Sequence, residues 1–488
     1  MDIVTNDKLL RKFLTIYIAI YPIFGLKAFY NSCFTLLQIL MLIFFLIWSF
    51  FAGVIDGKYL KCVLIYGFFL VIYAVFHDYN AQDFQSLIPG DFFYSRSSEL
   101  LCLLKLSMPV IFLLLMKSVH IKKESFLLVI KTWIILICGS IVITNILKLS
   151  LGSYSDERIT GSFIQWINPG YAYTDLASKG FFMYANQITC ILLCILPFVM
   201  FFYFHKKISI GYVIAIMSTM LLLGTRAANI GSILVFVVLT GAYVFMCFLK
   251  KKILDKSRIV LNMIIILIYV LVLPISPTAG RNKVYDYILK EPIVYMEDAV
   301  EDQPEEEPSG MIDSSKDKIE YIGTHYEEKL INPTFILKSY PYEYDPDFWY
   351  DILELPEEMR ANYRFLEISM VKRVVQINNN KMDKLWGITN TRIQNIFNIE
   401  RDYILQYYAF GIVGMILFLG NYFVIFVKQI WELIRNFNYY NICHLSAVVL
   451  FLGVSYLSGN IMGQMFAFIS ILFLIYPKGE MNIEENNQ

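Results

Sequence analysis

Long apolar stretches separated by short polar segments recur along almost the whole chain. Stretches long enough to cross about 30 Å of hydrocarbon lie at 12–29, 32–54, 59–76, 99–117, 124–147, 177–203, 208–224, 227–249, 258–275, 403–427, 441–457 and 459–476. A backbone in lipid must satisfy its own hydrogen bonds, and helices do so within one segment. The pattern therefore predicts an all-α polytopic integral membrane protein with about twelve transmembrane helices.

Basic residues alternate between the two sides of these predicted spans. If the N-terminus is cytoplasmic, the segments on that side contain Lys8, Arg11, Lys12, Lys58, Lys61, Lys117, Lys122, Lys123, Lys206, Lys207, Lys250, Lys251, Lys252, Lys256, Arg258, Lys428, Arg435 and Lys478. The short loops on the other side contain little beyond Lys27, Arg96, Arg158 and Arg226. Cytoplasmic loops of membrane proteins are enriched in Lys and Arg. We therefore predict a multi-pass protein of the bacterial cytoplasmic (inner) membrane with both termini in the cytoplasm.

The predicted spans divide the chain into four parts. These are a membrane domain at 1–275 with spans one to nine, a large extracytoplasmic loop at 276–402, a second membrane part at 403–477 with spans ten to twelve, and a cytoplasmic tail at 478–488.

The large loop has two unlike halves. Residues 291–320 are acidic and rich in proline, a composition that does not support a packed core. Residues 355–400 are helical in pattern, with apolar residues at spacings of three and four, namely Met359, Tyr363, Leu366, Met370, Val374 and Ile377. We predict a flexible acidic part followed by an amphipathic helix that begins at Pro356 and lies across the mouth of the membrane domain.

Composition narrows the class of protein further. Hydrophobic residues make up 57% of the chain and charged residues 17%, and the formal net charge is zero, so nothing indicates a nucleic-acid partner. All eight cysteines lie in or beside apolar stretches, and none lies in the large loop. Cys190 and Cys194 share a helix face but have no nearby His or carboxylate, so we interpret them as small buried residues. No metal site and no cofactor are predicted.

Arg226 is the first candidate for chemistry. It lies in a break of small residues between two predicted spans, near the outer face, where the charge pattern of the loops would not place a cation. An ionisable residue at the edge of the hydrocarbon is a candidate functional residue. The alternative is an arginine that extends to the lipid headgroups.

Arg360 and Arg364 are four residues apart on the predicted loop helix, and Glu367 continues their face. Guanidinium groups one turn apart suit a pyrophosphate, whose oxygens accept paired hydrogen bonds from planar donors. Equally, arginines can form the solvated face of an amphipathic helix. Lys372 and Arg373, further along, are interpreted as solvated.

Glu400 and Asp402 lie at the outer entrance of the tenth predicted span. A partly desolvated carboxylate there could accept a proton from a sugar hydroxyl. The alternative is a cluster of charges at a helix end with no catalytic role.

Three segments resemble the O-antigen polymerase and O-antigen ligase-like membrane proteins of bacterial surface polysaccharide assembly. They are Gly-Thr-Arg-Ala-Ala at 224–228, the stretch from Tyr363-Arg364 to Leu385-Trp386-Gly387-Ile388, and 400–414 with its Gly-Ile-Val-Gly ending. The number of spans and the late external loop are also similar to that family.

The resemblance implies a membrane glycosyltransferase that polymerises polyprenyl-pyrophosphate-linked oligosaccharide units by metal-independent inverting transfer at the outer face. It assigns pyrophosphate binding to Arg226 and Arg364, with Arg360 as a further candidate. Many ligase-type members have His-Asn where this chain has Glu400-Arg401, so Glu400 or Asp402 becomes the candidate base. The lipid bilayer, a flippase and a chain-length regulator are the other candidate partners.

Other functions are alternatives to this one. An O-antigen-type ligase would transfer the finished glycan to an acceptor. A polysaccharide flippase or transporter could also have twelve spans, but such proteins carry repeats and polar residues at mid-membrane. A metal-dependent glycosyltransferase with an acidic motif in its first external loop is disfavoured, because 25–31 has no carboxylate.

Overall fold

The computed structural model describes residues 3–476 apart from 83, 86, 88–92, 164, 166–175, 252, 280–313 and 397–398. The described residues form helices, turns and loops, with isolated β-bridges but no strand among them. This confirms the all-α prediction.

The chain folds into two compact units. The first contains the described residues within 1–70, 103–281 and 417–488, and the second those within 71–102 and 282–416. Most helices of the first unit come from the predicted membrane domain. The helices before the predicted loop are, in chain order, α1 (Ile3–Ile20), α2 (Ser32–Phe51), α3 (Gly57–Gln82), α4 (Arg96–Ser118), α5 (Lys123–Ile146), α6 (Ala185–Phe204), α7 (Ile210–Leu223), α8 (Arg226–Leu249) and α9 (Lys256–Val272). The end of α3 and the start of α4 belong to the second unit.

Two further sets of helices follow along the chain. Those of the predicted loop are α10 (Ser315–His325), α11 (Pro346–Leu353), α12 (Glu357–Arg360), α13 (Tyr363–Asn378), α14 (Asp383–Trp386) and α15 (Asn390–Ile396). The last three are α16 (Asp402–Arg435), α17 (Tyr439–Leu457) and α18 (Met465–Ile475).

Nine helices within the described residues are long and apolar enough to cross a membrane. They are α2 to α6, α8, α9 with its extension to Ala279, α16 and α17. Each coincides with a predicted span. The protein is therefore a multi-pass membrane protein.

The other three predicted spans also coincide with helices, but these are shorter or more polar. α7 has 14 residues and α18 has 11, which at 1.5 Å per residue is less than the hydrocarbon thickness. α1 has 18 residues, but its first half is polar and charged. The count of twelve spans thus stays a prediction.

α6 is at the centre of the first unit. The 18 consecutive residues that make up its most apolar part are all buried, and it packs on α5, α7, α8, α17 and α18. α18 is also buried along its whole length. Its short length is compatible with this place, because neighbouring helices and not lipid cover its side chains.

The second unit contains the helices of the predicted loop and residues 71–102. Asp345 joins two of these helices. Its side chain caps the N-terminus of α11 by accepting a hydrogen bond from the Phe348 N–H, and it also accepts two from Arg373 of α13, at 2.7 and 3.0 Å. Burial raises the pKa of Asp345, but the hydrogen bonds from Arg373 and Tyr340 outweigh it, so the pKa is lowered overall. Arg373, interpreted from the sequence as solvated, is 35% exposed and in addition pairs with this buried carboxylate.

The amphipathic helix predicted from Pro356 onward is two helices. α12 ends at Arg360, and Asn362 caps the start of α13 by accepting a hydrogen bond from the Phe365 N–H. Asn is a strong N-cap residue because its side chain satisfies an otherwise unpaired N–H. Arg360 and Arg364 are therefore not on one continuous helix.

The predicted acidic half of the loop lies largely outside the described residues. Of 291–320, the structure describes only 314–320, where Ser314 caps α10.

Candidate functional site

The residues predicted for the site are divided between the two units. Arg226 belongs to the first unit, and Arg360, Arg364, Glu400 and Asp402 belong to the second.

Arg226 is exposed and is the first residue of α8. Gly224 ends α7 with a left-handed backbone (φ 66°), and Thr225 caps α8 by accepting a hydrogen bond from the Ala228 N–H at 3.1 Å. A Cβ at Gly224 would lie 2.8 Å from that of Ala177. The small residues of this segment thus make a tight turn that presents the arginine at a helix N-terminus, where the helix dipole favours anions.

Arg364 and Glu400 form an ion pair in the second unit. The Nε and Nη2 atoms of Arg364 both donate to Oε2 of Glu400, at 2.9 and 2.5 Å. The side chains are 41% and 35% exposed, so a ligand can reach both. The structure therefore brings a predicted pyrophosphate-binding residue to the predicted base, across 36 positions of sequence.

Arg360 does not contribute to this pair. Its Nη1 donates to the carbonyl of Lys329 at 3.1 Å, while its Nε is buried and has no hydrogen-bond partner among the described residues. The predicted pair of arginines one turn apart is thus replaced by an arginine and a carboxylate.

Asp402 is 1% exposed and is the first residue of α16. A carboxylate in the first turn of a helix interacts favourably with the free N–H groups there. In this position a sugar hydroxyl cannot reach it without movement of the chain, whereas Glu400 is accessible. Of the two predicted candidates, Glu400 is the better placed base.

Glu367 is the residue that the sequence interpretation underrated. It lies three residues after Arg364 on α13, so the two share a face, but it is 8% exposed. Burial is the main cause that raises its pKa to about 8, and the charge of Glu400 adds to this while that of Arg364 opposes it. The helical pattern placed Glu367 beside the arginines, but it did not indicate the burial.

The segments on either side of Glu400 are held by a close crossing of two backbones. Ile388 and Thr389 donate from their N–H groups to the carbonyls of Tyr408 and Ala409, at 2.9 and 3.0 Å. Gly387 and Gly411 lie at the crossing, both with positive φ, at 80° and 66°. A Cβ on either would collide with the opposite backbone. This explains two glycines of the motifs that carry the family resemblance.

Buried polar side chains hold the same crossing to residues near the C-terminus of α3 and the N-terminus of α4. Tyr73 donates to the carbonyl of Phe410 at 2.8 Å, and Asn80 to that of Gly387 at 3.0 Å. Glu99 accepts from the N–H groups of Asn390 and Thr391, at 3.0 and 2.9 Å.

His77 completes this network. Its Nδ1 is 2.6 Å from the carbonyl oxygen of Trp386, and its Nε2 is 3.0 Å from Oε1 of Glu99. The sequence interpretation missed the group. A signal was present, because Tyr73 near the end of the third predicted span and His77 and Asn80 just beyond it recur at helical spacing and so share one helix face.

Within the described ranges, no three or more His, Cys, Asp and Glu side chains are grouped so as to hold a metal ion. The chemistry that the exposed groups can perform is that of a guanidinium and a carboxylate. The first binds phosphate oxygens, and the second accepts a proton.

One comparison identifies relatives. A family model described as "O-antigen ligase like membrane protein" matches residues 7–479. No curated protein and no solved structure matches the chain.

Proposed function

The chain belongs to the O-antigen ligase like membrane proteins, and we propose that within this family it is a polymerase of surface polysaccharide. Membership makes it a membrane glycosyl-transfer enzyme of polysaccharide assembly. In our proposal it joins polyprenyl-pyrophosphate-linked oligosaccharide units at the outer face of the cytoplasmic membrane. A flippase that delivers the units and a regulator of chain length are its proposed partners.

The ion pair of Arg364 and Glu400 is the observation that supports this proposal most. It places a donor of paired hydrogen bonds beside an accessible carboxylate. A transfer from a pyrophosphate donor needs both, because it must hold the leaving group and remove a proton from the acceptor hydroxyl.

In the proposed reaction, the oxygen of an acceptor hydroxyl attacks the anomeric carbon of the donor from the face opposite the pyrophosphate. The bond between that carbon and the pyrophosphate oxygen breaks, and its electron pair leaves with the phosphate. Glu400 accepts the hydroxyl proton. Arg364 stabilises the negative charge that develops on the leaving pyrophosphate, a role that the family resemblance also implies for Arg226, so the transfer is proposed to proceed without a metal ion.

Cells that lack the chromosomal copy provide the test. We expect wild-type protein to restore long surface polysaccharide, and Arg226→Ala and Arg364→Ala to leave mainly single repeat units at equal membrane expression. Lys372→Ala is the matched control for Arg364, because Lys372 is an exposed cation on the same helix. Chain length is read by electrophoresis of the extracted polysaccharide.

Other outcomes identify the alternatives. If the deletion strain makes long chains that are not attached to their final acceptor, the protein is a ligase. Repeat units that accumulate on the cytoplasmic side would instead indicate a flippase. If both arginine variants restore long chains, the assigned pyrophosphate site is wrong.

A further inference from the structure

Glu367 is a buried carboxyl group beside the ion pair of the site. It is 8% exposed and makes no hydrogen bond or ion pair with the described residues. Leaving an isolated carboxylate in such a place costs much more than leaving a carboxylic acid there. The geometry therefore favours a protonated side chain, which is neutral and offers one O–H donor.

The charged groups that act on Glu367 are Arg364, on the same helix, and Glu400, from the segment before α16. With Glu367 protonated, these three side chains sum to zero charge. With Glu367 ionised, the sum is one negative charge, and Arg364 faces two carboxylates. An anionic ligand that competes with Glu400 for the guanidinium is then repelled.

We propose that Glu367 is a positioning residue for the donor. Its protonated form lets a pyrophosphate take the place of Glu400 at Arg364, and its ionised form prevents this exchange. The exchange has a second consequence, because it frees Oε2 of Glu400 from the guanidinium as the donor binds. The inference rests on the proposed function, since it assumes a pyrophosphate donor.

The affinity for pyrophosphate should therefore fall as the pH rises and Glu367 loses its proton. The pKa of Glu367 is raised to about 8, chiefly by burial. Binding of a pyrophosphate is therefore nearly independent of this group at pH 7. If only the protonated form binds, binding weakens about fivefold between pH 8 and pH 9 and about tenfold for each further pH unit.

The experiment measures binding of a long-chain polyprenyl pyrophosphate in phosphatidylcholine vesicles to the purified full-length protein, from pH 6.5 to 9.5. For the wild type we expect the dissociation constant to rise about fivefold between pH 8 and pH 9. Glu367→Gln, which has the shape and neutrality of the protonated acid, should bind equally well at pH 7 and lose this rise. Glu354→Gln is the control, because Glu354 is an exposed carboxylate at the end of α11.

Arg364→Ala separates failure of this inference from failure of the proposed function. If Arg364→Ala binds the probe like wild type, the pyrophosphate site itself is wrong. If Arg364→Ala loses binding while Glu367→Gln keeps the wild-type rise, only the role of Glu367 is overturned. Loss of binding by Glu367→Gln at pH 7, with an unchanged melting temperature, would also overturn it, since a neutral side chain would then be insufficient.

Discussion

Arg364 and Glu400 show how one contact limits what each residue can do. Two donors of Arg364 converge on a single oxygen of Glu400. A phosphate oxygen must compete with that carboxylate, and a hydroxyl proton must find the other carboxylate oxygen. Under the proposed function, the pair is therefore a resting arrangement in which binding of the donor and release of the base are linked.

Glu367→Gln should stabilise the protein at neutral and alkaline pH. The pKa of Glu367 is about 8 in the folded protein, against about 4.3 for an unperturbed glutamate. Between these values the folded state binds more protons, so stability falls as pH rises through this window. Glutamine carries no such penalty. We expect its gain in the free energy of unfolding to be on the order of 5 kcal/mol at pH 8 and to vanish near pH 4.

Thermal unfolding in detergent at a series of pH values measures this difference. Glu354→Gln, at an exposed position, should show no change with pH relative to wild type. A difference between Glu367→Gln and wild type that is the same at pH 5 and pH 8 would show that Glu367 does not change its ionisation on folding.

The residue types of the site could be predicted from sequence, but their contacts could not. Arg364 and Glu400 were chosen for phosphate binding and proton transfer, and they lie together in the structure. Their pairing joins positions 36 apart, which no local pattern reports. Burial of Glu367 likewise depends on neighbours distant in sequence. Arg360 failed as a partner because the interpretation did not consider Asn362 as a helix cap.

The elements of the membrane part were the most predictable, because an apolar stretch of about 20 residues has few alternatives to a helix in lipid. The helices of the loop were harder to predict from the sequence. Short helices depend on caps and tertiary packing rather than on propensity. The break between α12 and α13 is one example. The hydrogen bonds of Asp345 that join α13 to α11 are another.

Gly411→Ala should disrupt the crossing of α16 with the segment between α14 and α15. An alanine there would have an unfavourable positive φ, and its Cβ would collide with the backbone of Leu385 and Trp386. Backbone atoms cannot move aside like the end of a flexible side chain. We expect a loss of stability of about 3 kcal/mol or more, measured as a lower melting temperature and faster proteolysis of the loop.

Gly420→Ala is the matched control for this experiment. Gly420 lies in the helical segment of α16 that follows the kink at Gly411, and a Cβ there has no atom within 4 Å. Because alanine favours helix more than glycine, the control should be neutral or slightly stabilising. Equal melting temperatures for the two variants would contradict the close crossing.

At the scale of the whole molecule, the structure and the family match agree on a multi-pass membrane enzyme. The predicted domain boundaries stay a prediction. The second unit combines the described residues of the loop with residues 71–102 and the start of α16. Residues 71–102 are distant in sequence from the loop. Polar side chains at the ends of predicted spans or just beyond them, such as His77 and Glu99, make hydrogen bonds to it. Hydropathy alone separates spans from loops and does not report such contacts.

The last prediction at this scale is which side of the membrane the loop of α10 to α15 faces. It follows from the distribution of Lys and Arg among the connections between spans. The connection between α8 and α9 is flanked by Lys250, Lys251, Lys252, Lys256 and Arg258, so the positive-inside rule places it in the cytoplasm and the loop of α10 to α15 outside. Two single cysteine variants test this, one on each predicted side. Lys338→Cys lies at an exposed position of the loop, and Ile253→Cys replaces a residue that is 97% exposed between α8 and α9.

In intact spheroplasts, a membrane-impermeant maleimide should modify Lys338→Cys, whereas Ile253→Cys should react only after the membrane is permeabilised. The wild type provides the background, because its cysteines at 33 and 62 are exposed in the structure. The reverse result would place the ion pair of Arg364 and Glu400 on the cytoplasmic side. It would then contradict polymerisation at the outer face, since the proposed donor must meet Arg364 on the side where the loop lies.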